Sequence, residues 1–521
     1  AAALAFDRAA RLYRWALTLA PASDDTETRE RLGDALSNAG RGAEAAEAYL
    51  AAARGAPSSR TLELRRKAAE QYLISGHVEN GLEIVRLVLE SVGMKLPQSR
   101  EGIIVSFLTS RARLKLRGLD FREQPASAVP PEQLLRIDAC WAVAVGLSLV
   151  DAVRGPDFQA RHLLLALDAG DPYRVARALA LEAVFSATGG PKVAARTAEI
   201  VERSLELSER IRHPHALGLA TTMAGTAHYM SGRWRDGLEQ LERGARILRE
   251  QCTGVTWERD TADIFYCTAL LQLGRWKELA TRCEELIRDA NARGDLYAEN
   301  HALIELSWYI ELARDAPDKA REALERGYSH KVGDSFDMYD MLRVTGTAAI
   351  DLYTGNPEPA RSAIEGAWLR FHTAFFFQIY VLRIELPNLR ARTRIACASL
   401  PDKTPRQRDS LLRAAEKDIA QITEEGGHLY PRAHAAMAQA CVATVEGKMQ
   451  RARELIERAE HAYSAADMEI HAAVAAFRLG QVTPGERGEA LIANATARLN
   501  AQGVRSPERV ALMFAPGHWS R

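Results

Sequence analysis

The chain has 521 residues, of which 47% are hydrophobic and 26% are charged, a composition typical of folded rather than disordered proteins. Its 68 Lys and Arg residues equal its 68 Asp and Glu residues, so it lacks the basic excess of a dedicated nucleic-acid binder. The longest uncharged apolar run, residues 139–150, is too short to cross a bilayer. Charges interrupt the first 15 residues, which excludes a signal peptide there. We therefore expect a cytoplasmic protein with no nucleic-acid partner and no membrane span.

The first long pattern, residues 32–57, has the spacing of a helix-turn-helix unit. Gly40 is placed to end the first helix, because glycine accepts the left-handed conformation at a helix C-terminus. Ala45 and Tyr49 recur at helical spacing on the second helix. The small residue Gly33 lets the two helices approach closely, beside the tyrosine ring. This order of Leu-Gly, Gly, Ala, aromatic and Pro matches the tetratricopeptide pattern.

Similar breaks between two helical periods recur along the chain and give about nine units. We expect their turns at Gly40, Gly76, Gly155, Gly189, Gly232, Gly274, Asp315, Gly355 and Gly447. The pattern predicts an all-α fold: a tetratricopeptide-like α-solenoid, a right-handed superhelix of antiparallel helix pairs that occupies residues 1–521 as one domain. Two segments, near 96–135 and 368–428, break the pattern and are expected to be irregular.

The first residues repeat half a unit. Ala9, Tyr13, Ala16 and Pro21 have the same offsets as the apolar face and the terminal proline of the unit at 32–57. The chain is therefore expected to begin within a repeat and to be a fragment of a larger protein.

Two clusters of side chains each allow two interpretations. An aromatic cluster at residues 371–380 falls on one predicted helix: Phe371, Phe375, Phe376, Phe377 and Tyr380. Burial in the solenoid core is favoured, and a dimer or partner surface is the alternative. A basic run contains Arg111, Arg113, Lys115 and Arg117. A solvated helix face balanced by Asp120 and Glu123 is favoured, and a phosphate contact is the alternative.

No motif for catalysis, metal or nucleotide binding is present. Gly447-Lys448 lacks the remaining glycine and the Ser or Thr of a phosphate loop. The pairs His213/His215 and His428/His434 lack the i, i+4 spacing that chelates a metal on one helix face. The six Cys residues are scattered and suit a role as small buried hydrophobic residues in a reducing compartment. No catalytic, cofactor-binding or metal-binding residue is therefore predicted in this chain.

The concave side of a tetratricopeptide solenoid is lined by the first helix of each pair. In the middle units the helical register predicts a groove lined by Thr222, Thr226, Tyr229, Ile264, Thr268, Leu271, Glu305 and Tyr309. This mixture of apolar and hydroxyl groups suits a protein, a peptide or a small regulatory ligand better than an anion.

Several long segments resemble one known region. They include LRRKAAEQYLISGHVENGLEIVRLVLESVGMKLP at 64–97, RARLKLRGLDFRE at 111–123 and GVRSPERVALMFAPG at 503–517. These segments resemble the C-terminal region of large bacterial serine/threonine protein kinases, in which a kinase domain and a predicted AAA-type (STAND-like) ATPase precede a helical-repeat region. The resemblance covers most of residues 60–516.

The resemblance implies a non-catalytic sensor or scaffold region with kinase and ATPase domains upstream in cis. ATP is then expected only for those upstream domains, and the full-length protein is expected to be a protein kinase. A stand-alone adaptor for protein–protein interaction is the alternative. A helical-repeat enzyme with an unrecognised site is a second alternative.

Overall fold

A computed structural model of the protein describes residues 2–19, 25–97, 99–148, 151–329, 331 and 336–519. Within these ranges the chain forms α-helices, three short 3-10 helices and one π-helical stretch, and it contains no strand. The predicted all-α fold is therefore confirmed. Pro21, the last position of the predicted half-repeat at the start of the chain, lies outside the described residues.

The helices alternate with short turns, and most of them pack as antiparallel pairs. In chain order they are α1 (Ala2–Leu19), α2 (Thr26–Asn38), α3 (Gly42–Ala53), α4 (Ser58–Ile74), α5 (Val78–Ser91), α6 (Arg100–Arg117), α7 (Pro131–Leu147), α8 (Arg154–Ala169), α9 (Pro172–Ala187), α10 (Ala194–Arg210), α11 (Pro214–Met230), α12 (Trp234–Gln251), α13 (Thr256–Leu273), α14 (Trp276–Arg293), α15 (Leu296–His301), α16 (Trp308–Ala313), α17 (Pro317–Tyr328), α18 (Met338–Tyr353), α19 (Pro357–Thr373), α20 (Tyr380–Ala398), α21 (Pro405–Glu424), α22 (Leu429–Val445), α23 (Met449–Ala465), α24 (Glu469–Gln481), α25 (Glu486–Ala501) and α26 (Pro507–Phe514). The 3-10 helices are Ala126–Ala128, Gly190–Val193 and Phe376–Gln378. The π-helical stretch Ala302–Ser307 joins α15 to α16.

The turns inside the pairs lie close to the predicted positions. Seven of the nine predicted turn residues have a φ between 55° and 82°, the left-handed conformation that ends a helix. They are Gly40, Gly76, Gly232, Gly274, Asp315, Gly355 and Gly447. The prediction at Gly155 is wrong, because Gly155 lies inside α8. Gly189 lies in the turn after α9, one residue before the left-handed Gly190.

The two helices of a pair differ in how much of their surface is covered. In α11, twelve of 17 residues are buried, whereas in its partner α12 six of 18 are buried. A helix that is apolar on all sides is surrounded by protein, and an amphipathic helix faces solvent on one side. In the pairs from α9 onwards, the first helix therefore lies inside the solenoid and the second lies outside.

Successive turns of the superhelix are in direct contact. The Leu296 nitrogen at the start of α15 donates to the Ser75 carbonyl at the α4–α5 turn (3.1 Å). At the start of α20, the Tyr380 nitrogen likewise donates to the Thr188 carbonyl (2.8 Å). A Cβ on Gly274 would lie 2.4 Å from the Ile470 nitrogen at the start of α24. In each case a turn meets the inner helix that lies five pairs further along the chain.

The same offset of five pairs applies from one end of the chain to the other. The turns after α2, α4, α9, α11, α13 and α16 contact the first residues of α13, α15, α20, α22, α24 and α26. The superhelix therefore has about five helix pairs per turn, and its consecutive turns close on each other instead of leaving an open spiral.

The aromatic segment departs from the prediction of one helix. The helix α19 ends at Thr373, Phe375 adopts a φ of 63°, and α20 begins only at Tyr380. The break lets two helices of different direction bury aromatic rings, and Phe371, Phe376 and Tyr380 are buried. The preferred interpretation of the cluster as solenoid core is confirmed for these three residues.

The two segments that were expected to be irregular are only partly so. Residues 96–135 contain α6 and a loop with one 3-10 turn, and residues 368–428 contain α20 and α21. Among the described helices, none is both long and apolar enough to cross a membrane.

Candidate functional site

A cavity of about 350 Å³ lies inside the coil, within the size range of small-molecule sites. Its wall comes from α6, α9 and α11 on one side and from α13, α15, α18 and the 3-10 turn before α20 on the other. These elements belong to two successive turns of the superhelix. A bound molecule would therefore contact both turns at once.

The wall of the cavity is mainly apolar. Its large apolar side chains include Phe107 of α6, Leu181, Val184 and Phe185 of α9, Met223 and Met230 of α11, Trp257 and Phe265 of α13, Met338 of α18, and Phe375 and Ile379 before α20. Most of these residues lie on inner helices, in which most residues are buried. Three of the side chains are methionines, which adapt to ligands of different shape.

The cavity opens between α10 and the 3-10 turn before α20. Arg196 and Gln378 are the exposed residues among the described residues that line it. Trp257, Phe265 and Tyr297, on the opposite wall, are buried. The cavity thus runs from a polar mouth to an apolar interior.

Both charged residues in the described lining are arginines. The guanidinium of Arg111 lies 2.9 Å from the carboxylate of Glu182, which is fully buried. This ion pair cancels the charge of Arg111 within the wall. Arg196 forms no ion pair with any residue that the structure describes, so the mouth carries an unbalanced positive charge.

The polar groups of the wall mostly have hydrogen-bond partners within the protein. The Thr261 and Tyr297 hydroxyls are 2.9 Å apart, and the Thr226 hydroxyl donates to the Thr222 carbonyl (3.1 Å). Burial raises the pKa of Tyr297, so its hydroxyl stays protonated at neutral pH. The indole nitrogen of the lining residue Trp257 has no hydrogen-bond partner among the described residues. The wall therefore offers few free polar groups to a ligand.

The structure places the predicted groove residues inside the coil. Thr222, Thr226, Tyr229, Ile264 and Thr268 are buried, whereas Leu271, Glu305 and Tyr309 are half-buried. Thr226 lines the cavity. The others pack between helices, as Tyr229 does against Phe265 with ring centroids 5.4 Å apart. A ligand-binding role for the eight residues stays a prediction.

Two of the four cations in the basic run form ion pairs, but with other acidic residues than those predicted. Arg111 pairs with Glu182, and Arg117 pairs with Asp168 (2.9 Å). The predicted partners Asp120 and Glu123 instead pair with Arg203 and Arg210. The prediction of Asp120 and Glu123 as balancing charges is wrong, because the loop that carries them leaves α6 and reaches α10.

Three of the four histidines in the two sequence pairs take part in hydrogen bonds. His213 accepts from the Ala216 nitrogen at the start of α11 (3.4 Å), and His215 lies 2.9 Å from the Glu258 carboxylate. The buried His434 lies 2.8 Å from the Tyr463 hydroxyl. No group of three or more metal-ligating side chains occurs within the described ranges.

Sequence reasoning missed most of the cavity. Its described lining comes from positions between 107 and 379, and no local spacing connects residues so far apart. The sequence does show apolar residues on both faces of the inner helices. This pattern predicts that the helices are buried, but it does not predict a cavity between them.

Comparison with known proteins adds little to this picture. No family model and no curated protein sequence matches the chain. Among solved structures, the crystal structure of yeast Tom70 is similar at a TM-score of 0.26 with 13% sequence identity. The similarity covers 96% of this chain and 93% of the Tom70 chain. At this TM-score the likeness carries no functional argument.

Proposed function

We propose that the chain is a non-catalytic sensor or scaffold region that binds a small ligand in the interior cavity and responds through the contacts between superhelical turns. The observation that carries this proposal is the position of the cavity, whose wall belongs to two successive turns. A ligand that contacts both turns binds the docked arrangement better than a separated one. Such a ligand stabilises the docked coil by its difference in affinity between the two states.

In a closed coil, contacts between helix pairs can transmit the effect of ligand binding from the cavity to the outer helices. Each pair contacts its neighbours in sequence and also the pairs five positions away. A small rotation at one contact is repeated along a solenoid. Occupancy of the cavity would therefore change the surface that the outer helices present to another domain or to a protein partner.

The resemblance to the C-terminal region of bacterial serine/threonine kinases supports a role for this response in regulating attached domains. In that setting, the coil regulates cytoplasmic kinase and ATPase domains in cis, and ATP binds only to those domains. The alternative, a stand-alone adaptor for a protein or peptide partner, uses the same coil without attached enzymes. The sequence encoded upstream of Ala1 distinguishes the two, because kinase motifs there support the first.

The experiment that tests the proposal is a thermal-shift screen of metabolite fractions against the purified chain. Two variants fill the cavity from its lining, Ala152→Phe and Met230→Trp. The control Leu369→Trp enlarges a side chain that is 73% exposed. We expect at least one fraction to stabilise the wild-type chain and the control but neither filled variant.

A screen in which no fraction distinguishes the filled variants from the wild type would contradict ligand sensing in the cavity. Measurable ATP hydrolysis or phosphotransfer by the purified chain would contradict its non-catalytic role.

A further inference from the structure

We infer that the cavity takes a single-chain anionic amphiphile, with its head group at Arg196 and its alkyl chain among the side chains of α9, α11 and α13. This inference rests on the proposed function, in which the cavity binds a ligand. It adds the chemical class of that ligand.

The head-group assignment comes from the charges around the mouth. Arg196 is exposed, lines the cavity and forms no ion pair with the described residues. The neighbouring acid on its own helix, Glu199, pairs with Arg203 (3.1 Å). A carboxylate or phosphate at the mouth would therefore find a free guanidinium, which binds such groups through charge-assisted hydrogen bonds.

The charges also argue against a cationic ligand. No Asp or Glu is among the described residues that line the cavity. Glu182 behind the wall is already paired with Arg111. An amine would therefore meet the positive charge of Arg196 without a counter-charge to offset it.

The tail assignment comes from the interior wall. Beyond the mouth the cavity is bounded by Leu181, Met223, Trp257 and Phe265, which offer apolar surface to an alkyl chain. The volume of about 350 Å³ suits one medium-length chain rather than the two chains of a phospholipid. A polar ligand of the same size would lose its hydration and gain few hydrogen bonds there, because Trp257 alone among these four residues has a polar side-chain group without a partner among the described residues.

The test measures binding of four ten-carbon probes: decanoate, monodecyl phosphate, 1-decanol and decylamine. The fluorescence of tryptophan, which includes the lining residue Trp257, and isothermal calorimetry report the binding. We expect the two anions to bind about tenfold or more tighter than decanol, because each gains a charge-assisted contact. Decylamine should bind more weakly than decanol. The tighter of the two anions identifies the head group.

Two variants then locate the head group. Arg196→Gln removes the charge at the mouth, and the matched control Lys192→Gln removes an exposed charge from the adjacent 3-10 turn that does not line the cavity. We expect Arg196→Gln to lower the affinity for decanoate to that for decanol and to leave decanol binding unchanged. Lys192→Gln should leave both affinities unchanged.

Equal affinity for decanoate and decanol, or equal effects of the two variants, would overturn the inference. If no probe binds but a metabolite fraction still stabilises the chain in a way that depends on the cavity, the inference fails and the proposed function stands. If no ligand of any class distinguishes the filled variants, the proposed function itself fails.

Discussion

On α13, the fold destabilises the ionised form of the Asp263 side chain. It is half-buried one helical turn from Asp260, whose carboxylate is already paired with Arg293 (3.0 Å). Burial and the charge of Asp260 raise the pKa of Asp263 to about 6. Because an unfolded aspartate titrates near 4, the folded chain holds this proton more tightly. Asp263 therefore lowers the stability of the fold progressively as the pH rises from about 4 to 6, and the loss is complete above that range.

We expect Asp263→Asn to stabilise the chain at pH 7.5 by roughly 1–3 kcal/mol. The gain should shrink as the pH is lowered towards 5, where the wild-type carboxyl is mostly protonated. Thermal unfolding of both chains between pH 5 and 7.5 measures the difference. The control Asp409→Asn changes a fully exposed side chain and should show no such trend. A gain that is independent of pH would contradict the assignment.

At the scale of the helix pair, glycine at a turn has two separate roles. Gly274 has a φ of 73°, and a Cβ there would lie 2.4 Å from the Ile470 nitrogen of the next superhelical turn. Gly447 has a φ of 75°, but its Cβ would meet nothing within 4 Å. The two positions therefore separate the strain of the left-handed conformation from the close approach of two turns.

We expect Gly447→Ala to cost about 1 kcal/mol, the usual penalty of a left-handed alanine. Gly274→Ala should cost about 1–3 kcal/mol more, because the start of α24 must move away. Hydrogen exchange at residues 469–474 should rise in Gly274→Ala and stay unchanged in Gly447→Ala. Equal losses in the free energy of unfolding for the two variants would show that the two superhelical turns are not in close contact at Gly274.

The turns and the helix pairs could be predicted from the sequence because both depend on local spacing. Gly40 and Tyr49 signal a turn and a packed face within one unit. The break at Phe375 could not be predicted, since a phenylalanine in the left-handed conformation is held by its surroundings and not by its own preference. The same holds for the π-helical stretch at Ala302–Ser307.

For the whole molecule, the difference from the prediction is the closed coil. An open groove was expected because each unit of a solenoid was assumed to contact only its neighbours. The contacts between superhelical turns join residues such as Ser75 and Leu296, which no spacing within a unit connects. Thr222 and Thr268 of the predicted groove are buried, and the cavity described above lies between two superhelical turns.

The far end of the coil is closed by the segment Ser506–Trp519, which includes α26. Arg392 donates to the Met513 carbonyl (3.1 Å), and Arg478 donates to the Ala515 carbonyl (3.0 Å). Both arginines are buried, and burial lowers the pKa of Arg478 to about 9. Carbonyls at the end of a helix stabilise such cations. The segment therefore packs against the interior of the coil and supplies hydrogen-bond acceptors for two buried arginines.

In a closed coil, the destabilisation caused by one substitution should extend beyond the neighbouring helix pairs. Ala45 is fully buried between α2 and α3, where the ring of Tyr49 covers Gly33. A leucine at position 45 must separate the two helices, at a cost of about 1–3 kcal/mol. In an open solenoid, the damage would stay in the first units. Here the turn at Gly40 contacts Thr256 and Arg293 of the next superhelical turn.

We therefore expect Ala45→Leu to raise hydrogen exchange in two places, at residues 26–53 and at residues 254–260 near the start of α13. The control Glu47→Leu places the same side chain at an exposed position of α3 and should leave both regions protected. The helices α20–α23 should stay protected in either variant, because the turns that α20 and α22 contact follow α9 and α11 and not α2. An increase confined to residues 26–53 would show that a defect in one superhelical turn does not destabilise the next. That result would also contradict the coupling between turns on which the proposed ligand sensing depends.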